Sequence, residues 1–483
     1  MNEYKKITKN YIVNIVYQIF TLITPLVTTP YISKVLGAKN IGIYSYTLSI
    51  VTYFMVIGSL GFPLYGQREV AFVTEDMKKR SSLFCQIILA QLILTLTTTI
   101  LYLIFVNKVI KEYRNIYLIQ VVGLIGYSFA TNWFYMGIEK FEISVGKNIF
   151  VKFLSIILIF LFVKNPTDLL KYTFIMGISN VFGNLIILID IKNYICFSIA
   201  EVSIKKIFQH IKPAFIMGIP YYITTIYAVI DRTMLGFFGK GYQEVGYYEQ
   251  SQKIITLAMA FVTAISTVLL PRIANEVGKK NKEKIKELLI LGNRIILITA
   301  LPIIAGLIIT GDMIIPWFFG LEFQKVEILI KIFSPLPLFM GITNLLANQY
   351  LIAVKEEKKL ICIILISTII NCAMNIILIP HFNSIGAAYA TVLSEMIKLS
   401  ISLVYLKKII SIKSLFSGSI KYILSTLFMF SLLNIIKTKF DYTLLGTLEI
   451  VMIGIGIYLF GLIILKDEYT FILLKKIKNI SKI

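Results

Sequence analysis

GAKNIGIYSYTLSIV at residues 37–51 and GYQEVGYYEQSQKII at residues 241–255 are two versions of one stretch, and their likeness organises the whole chain. Ile41-Gly42-Ile43-Tyr44 aligns with Val245-Gly246-Tyr247-Tyr248, an offset of 204 residues. Each copy opens an apolar run, 41–63 and 246–270, that closes on related strings, PLYGQREVA from Pro63 and PRIANEV from Pro271. The run before each copy, 11–33 and 211–230, carries two prolines, Pro25 with Pro30 and Pro213 with Pro220. Interrupted helices at corresponding places in two halves are the pattern of membrane transporters, with the site at the repeat interface. Prolines also simply bend helices whose freed carbonyls are satisfied by neighbours.

Of 483 residues, 57% are hydrophobic and 15% charged, far more apolar material than a soluble fold can cover with polar surface. Apolar stretches of about 20 residues recur along the whole chain, the length a helix needs to cross ~30 Å of hydrocarbon. A transmembrane barrel would instead leave shorter segments of alternating polarity. The fold expected is therefore all-α and integral to the membrane, with about 14 transmembrane helices. Two pseudo-symmetric six-helix lobes, residues 1–195 and 196–410, are followed at 411–483 by two additional spans and a cytoplasmic basic tail. Six spans per half make the repeat parallel, and the expected site lies between spans one, two, seven and eight.

The net charge of +22, from 48 Lys+Arg against 26 Asp+Glu, would suggest nucleic acid in a soluble protein. Here the basic residues favour alternate connecting segments by more than two to one, both termini included. That bias predicts a multi-pass membrane protein with both termini cytoplasmic. KKNKEKIK at 279–286 then reads as an inner loop held near anionic membrane lipids, and no nucleic-acid partner is expected. The first apolar run lacks a convincing small-residue cleavage site and reads as a retained helix.

Connecting segments are too short for a sizeable soluble domain, so function must lie among the helices. The four cysteines have no disulfide or zinc spacing, and His210 and His381 stand alone. There is no G-x-x-x-x-G-K-[ST] loop. No metal or cofactor is expected, and energy would come from a proton or sodium gradient, the membrane potential, or consumption of product on the far side.

Five strings carry a family resemblance: NWFYMGIEKFE from Asn132, DRTMLGFFGKGYQEVGYYEQSQKI from Asp231, VLLPRIANEV from Val268, NQYLIAVKEEKK from Asn348 and IGAAYATVLSE from Ile385. In order and spacing they resemble the polysaccharide-exporter family. These are the lipid-linked oligosaccharide repeat-unit flippases of the multidrug/oligosaccharidyl-lipid/polysaccharide superfamily. The resemblance implies a non-enzymatic transporter that moves undecaprenyl-diphosphate-linked oligosaccharide from the cytoplasmic to the outer leaflet by alternating access. It would supply O-antigen, capsule or exopolysaccharide synthesis beside a polymerase and glycosyltransferases. A drug/cation antiporter of the same superfamily and a membrane polymerase or glycosyltransferase are the alternatives.

Such cargo needs a wet cationic cavity, and ionisable residues inside spans are the first candidates. Glu249 and Lys253 stand four apart on one helical face: Lys253 is the candidate for the diphosphate and Glu249 for proton coupling, unless the two only neutralise each other. Lys34 is a second basic candidate, or a snorkelling interface lysine. Asp231 and Arg232 close span seven as a gate, a counter-ion pair with Arg232 facing the cargo, or a structural ion pair. Arg68 and Glu69 at the inner end of span two read as an inner gate or topogenic pair. Trp133, within NWFYMGIEKFE, is a candidate for stacking on sugar. Lys152, Arg294, Lys331, Glu395, Lys398 and Glu449 rank second among in-span charges.

Overall fold

A computed structural model describes residues 2–196, 203–407 and 409–467; most of the basic tail lies outside the described residues. Every regular element among them is helical. Among the described residues, eleven helical segments are long and apolar enough to cross a membrane.

Helix α1, Asn2–Ser59, has 58 residues, about 87 Å if straight at ~1.5 Å per residue, far beyond a bilayer. It is divided at Gly37, whose φ of 74° and ψ of 170° suit a residue without a Cβ. The chain thus turns at the GAKN string that the sequence marks as the first loop. Pro25 and Pro30 remain inside helical backbone, as does Pro220 in α9, Ile211–Phe238. Pro213 falls in the first turn of α9, where its missing N–H costs nothing. The break in α1 is therefore made by glycine, and the prolines do not interrupt either helix.

Leu60 and Gly61, both at positive φ, turn the chain into α2, Phe62–Phe72. Asp76 accepts the Lys79 backbone N–H at 3.0 Å and caps α3, Met77–Lys108. The apolar run at 116–136, long enough for one span, is two helices, α4 (Arg114–Ser128) and α5 (Asn132–Gly137). Then follow α6 (Phe141–Phe162), α7 (Leu169–Ile189) and the short α8 (Ile204–Phe208).

Beyond α9, helix α10 runs unbroken from Tyr242 to Gly278 through Pro271. Helix α11, Lys282–Ile314, continues into a wide turn at Ile315–Phe319. Helices α12 (Lys325–Phe333) and α13 (Leu336–Thr343), with wide turns over Asn344–Leu351, occupy the apolar run at 328–353. The remainder is α14 (Glu357–Phe382), α15 (Ser384–Leu406), α16 (Ile412–Leu415), α17 (Ser419–Ile436) and α18 (Leu444–Ile464).

By packing, the chain forms two compact units. The first runs to Gly236 and includes Gly241–Gly246; the second takes Phe237–Lys240 and the chain from Tyr247 onward. In the first unit, Phe62, Tyr65, Phe84, Trp133, Phe134 and Ile187 form one core, and Val51, Met55, Tyr102, Tyr117 and Leu124 another. In the second, α17 and α18 pack on α11 through Ile309, Met313, Tyr422, Met429, Leu433 and Ile450. Asp312 of α11 accepts from Lys437 Nζ at 2.6 Å through both oxygens and from Tyr442 at 3.0 Å, fixing that attachment at one end. Leu96, Ile100, Phe153, Phe162, Leu427 and Met452 are exposed along the spans, the surface expected toward lipid tails.

Candidate functional site

In the first unit, Lys34 is exposed one turn before the Gly37 break. Nearby, Tyr31 donates to the Val163 carbonyl at 2.7 Å, which ties this turn to the end of α6. Asp231 is buried and Arg232 half-buried. The sequence places this pair at the end of a span, but α9 continues to Phe238, so both lie well inside the helix and neither caps it. The next residue, Thr233, shares hydrogen bonds with Ser49 at 2.8 Å and Tyr53 at 2.9 Å, binding this part of α9 to the second half of α1.

Arg68 and Glu69 of α2 form an ion pair at 2.6 Å, with Arg68 also 5.6 Å from the Tyr65 ring centre. The pair is substantially exposed, so the attraction itself stabilises little. Trp133 belongs to the core of the first unit. It is 2% exposed, donates its indole N–H to Ala130 at 3.0 Å, and packs against Phe84 and the bare backbone of Gly66. Stacking on a sugar needs a free ring face, and the packing covers both faces of this ring, so Trp133 is a core residue. His210, expected as a lone loop residue, is instead buried between Tyr65 at 2.7 Å and Gln86 at 2.9 Å.

In the second unit, Glu249 and Lys253 share one face of α10 and are both half-buried. The turn they bracket is polar and deeply buried: Gln250 and Ser251 have no exposed surface. Tyr248, one residue before Glu249, shares a hydrogen bond with Thr391 of α15 at 2.9 Å. On α14, Asn371 and Asn375 are fully buried, with Asn375 Nδ2 donating to Asn371 Oδ1 at 3.1 Å. Glu395, a second-rank candidate, is 1% exposed and paired with Lys398 at 3.2 Å. A buried carboxylate in a span is costly unless paired, which raises it to the first rank. The asparagines escape a search for charge; their signal is the four-residue spacing in INCAMNI at 370–376, which puts both on one helical face.

No group of three or more His, Cys, Asp or Glu placed to hold a metal exists among the described residues. What these units assemble is a set of mixed-sign, half-buried charges and neutral polar clusters inside apolar helices. Ionisable groups inside membrane spans are costly and are candidates for function.

Comparison with known proteins agrees with that chemistry. The "Putative O-antigen transporter" of Escherichia coli (strain K12) is 22% identical over 416 residues, spanning 84% of this chain and 98% of the relative. The "Probable low-salt glycan biosynthesis flippase Agl15" of Haloferax volcanii is 25% identical over 54% of this chain and 53% of its own length. In fold, the chain superposes on the lipid II flippase MurJ in an inward closed conformation with a TM-score of 0.74, at 19% identity, over 96% of this chain and all of that one. A MatE profile matches residues 217–377, and the polysaccharide biosynthesis protein profile matches residues 7–277, more than half of the sequence. This chain belongs to the polysaccharide biosynthesis protein family.

Proposed function

We propose that this protein is a secondary transporter that flips undecaprenyl-diphosphate-linked oligosaccharide repeat units from the cytoplasmic to the outer leaflet by alternating access. Family membership carries the reading, and the near full-length likeness to an O-antigen transporter supports it. Lys34 and Arg232 in the first unit and Lys253 in the second supply positive charge for the diphosphate. Asp231, Glu249 and the Arg68–Glu69 pair change partners as access alternates, with Glu249 taking up the coupling proton; sodium is the other candidate ion. The glycine break in α1, the long α10 and the paired α4 and α5 support fourteen spans, arranged as six, six and two. The charge bias supports termini that both lie inside, and an undecaprenyl-linked cargo fits the bacterial cytoplasmic membrane and implies a polymerase and glycosyltransferases as partners.

The test is Lys253→Ala expressed in a host lacking its own flippase. The variant should reach the membrane in normal amount yet fail to restore surface polymer, whereas normal polymer would remove Lys253 from the mechanism. The MatE match favours a drug/cation antiporter as a second reading. Raised drug resistance on expression, without polymer rescue, would select it.

A further inference from the structure

Between the second half of α1, α4 and α7 lies a cavity of about 280 Å³ whose lining belongs wholly to the first unit. Its polar groups are Tyr44, Thr52, Gln120, Tyr127, Thr173 and Asn180; none of the lining residues is charged. We propose that this cavity is a subsite for one uncharged pyranose ring of the cargo, an inference that rests on the flippase reading above.

Gln120 provides the strongest reason. It is 4% exposed; its Nε2 donates to Thr47 at 2.9 Å, while its Oε1 has no hydrogen-bond donor. A buried carbonyl left so costs about 1–3 kcal/mol, which a ligand hydroxyl would offset. Thr52 and Thr173 spend their protons on the carbonyls of Leu48 and Leu169, both at 2.8 Å, so their oxygens are left as acceptors. The wall therefore asks for a ligand with both donors and acceptors.

Asn180 shows what the mouth faces. It is exposed and lies near the middle of α7, where an amide directed at lipid tails would be strongly unfavourable. Thr173, Met176, Gly177 and Asn180 recur on one helical face, and the lipid-suited Phe174 and Phe182, both about half exposed, lie on others. The mouth at Asn180 thus opens on water-filled space. Depth comes from two glycines at the crossing of α4 and α7: a Cβ on Gly123 would meet nothing nearer than Met55 Cε at 3.5 Å.

The absence of charge in the lining excludes the diphosphate and any bare cation as the preferred occupant, and a polyprenyl tail would leave Gln120 Oε1 unsatisfied. A sugar ring offers hydroxyls to the amides and its C–H face to Tyr44 and Tyr127. The volume sits just below the ~300–1,000 Å³ usual for small-molecule sites, so it takes one ring and not a chain.

The test introduces Met176→Cys at the mouth of a chain whose four native cysteines are replaced by alanine, and follows its labelling by a membrane-impermeant maleimide. The probes are undecaprenyl diphosphate and the same lipid carrying N-acetylglucosamine. Labelling should proceed in the apo protein and be slowed by the sugar-bearing lipid alone. Gln120→Leu should raise the concentration needed for protection about tenfold, the loss of ~1.4 kcal/mol. Gly123→Ala, a change toward better helix propensity, should also weaken protection by filling the cavity. Absence of labelling, equal protection by the bare lipid, or no protection while the protein still flips the sugar-bearing lipid in vesicles would each overturn the subsite. Failure of the unsubstituted chain to flip that lipid would instead count against the flippase reading, whatever the protection shows.

Discussion

Gly42 and Gly246, the glycines that the internal repeat aligns, pack backbone against backbone. A Cβ on Gly42 would lie 1.7 Å from the Tyr242 carbonyl oxygen and 2.9 Å from the Gly246 nitrogen; one on Gly246 would lie 2.1 Å from the Ala38 oxygen. Gly42→Ala must therefore push α1 away from the start of α10. The expected cost is about 1–3 kcal/mol, visible as a lower melting temperature of the detergent-solubilised protein. An unchanged melting temperature would mean that the two backbones do not meet as described.

Trp133 tests packing against recognition. Trp133→Ala should destabilise the protein by about 3–5 kcal/mol, while Trp133→Phe should retain transport and cargo preference because it refills most of the core. A Trp133→Phe variant that is stable but fails to transport, or that changes its sugar preference, would show that the ring meets cargo after all.

Asp312 and Lys437 should show the asymmetry of a partly buried ion pair. Asp312→Ala strands the Lys437 ammonium, and about 3–5 kcal/mol is the upper range for removing one partner of a fully buried pair, so a smaller loss is expected here, where the two side chains stay 17% and 23% exposed. Adding Lys437→Met should recover most of that loss, as read by melting temperatures in a double-mutant cycle. Strict additivity would mean the two side chains do not interact.

Asp76 gives a pH dependence of known sign. The Lys79 backbone N–H it accepts holds its carboxyl below the usual range. A depressed folded value means that the cap stabilises above the unfolded carboxylate pKa of about 3.9 and fades as the pH falls through the lower folded value. The difference in melting temperature between the natural chain and Asp76→Ala should be constant from about pH 5 to 8 and shrink below about pH 4. A gap that widens in acid would contradict the cap.

The helical membrane fold was legible because apolar length and the doubled G-x-Y string leave little freedom: GAKN is where α1 turns. Charge misled at Asp231 and Arg232, since hydropathy falls at ionised residues whether or not the helix ends, and α9 runs on to Phe238. Trp133 misled because α4 and α5 are separate helices, which folds NWFY inward. Gln120, Asn371 and Asn375 were hidden for the opposite reason: neutral amides barely perturb an apolar run, and only packing reveals that they are buried. Asp312 and Lys437 are 125 residues apart, a pairing no local pattern announces.

The protein moves its cargo without altering it. Purified protein in liposomes loaded on one leaflet with undecaprenyl-diphosphate-linked sugar, without ATP, tests this most directly. Intact lipid-linked sugar should appear on the opposite leaflet faster than in protein-free vesicles, and Lys253→Ala should abolish the difference. Movement no faster than in empty vesicles, or a sugar chain shortened or extended by the protein, would contradict it.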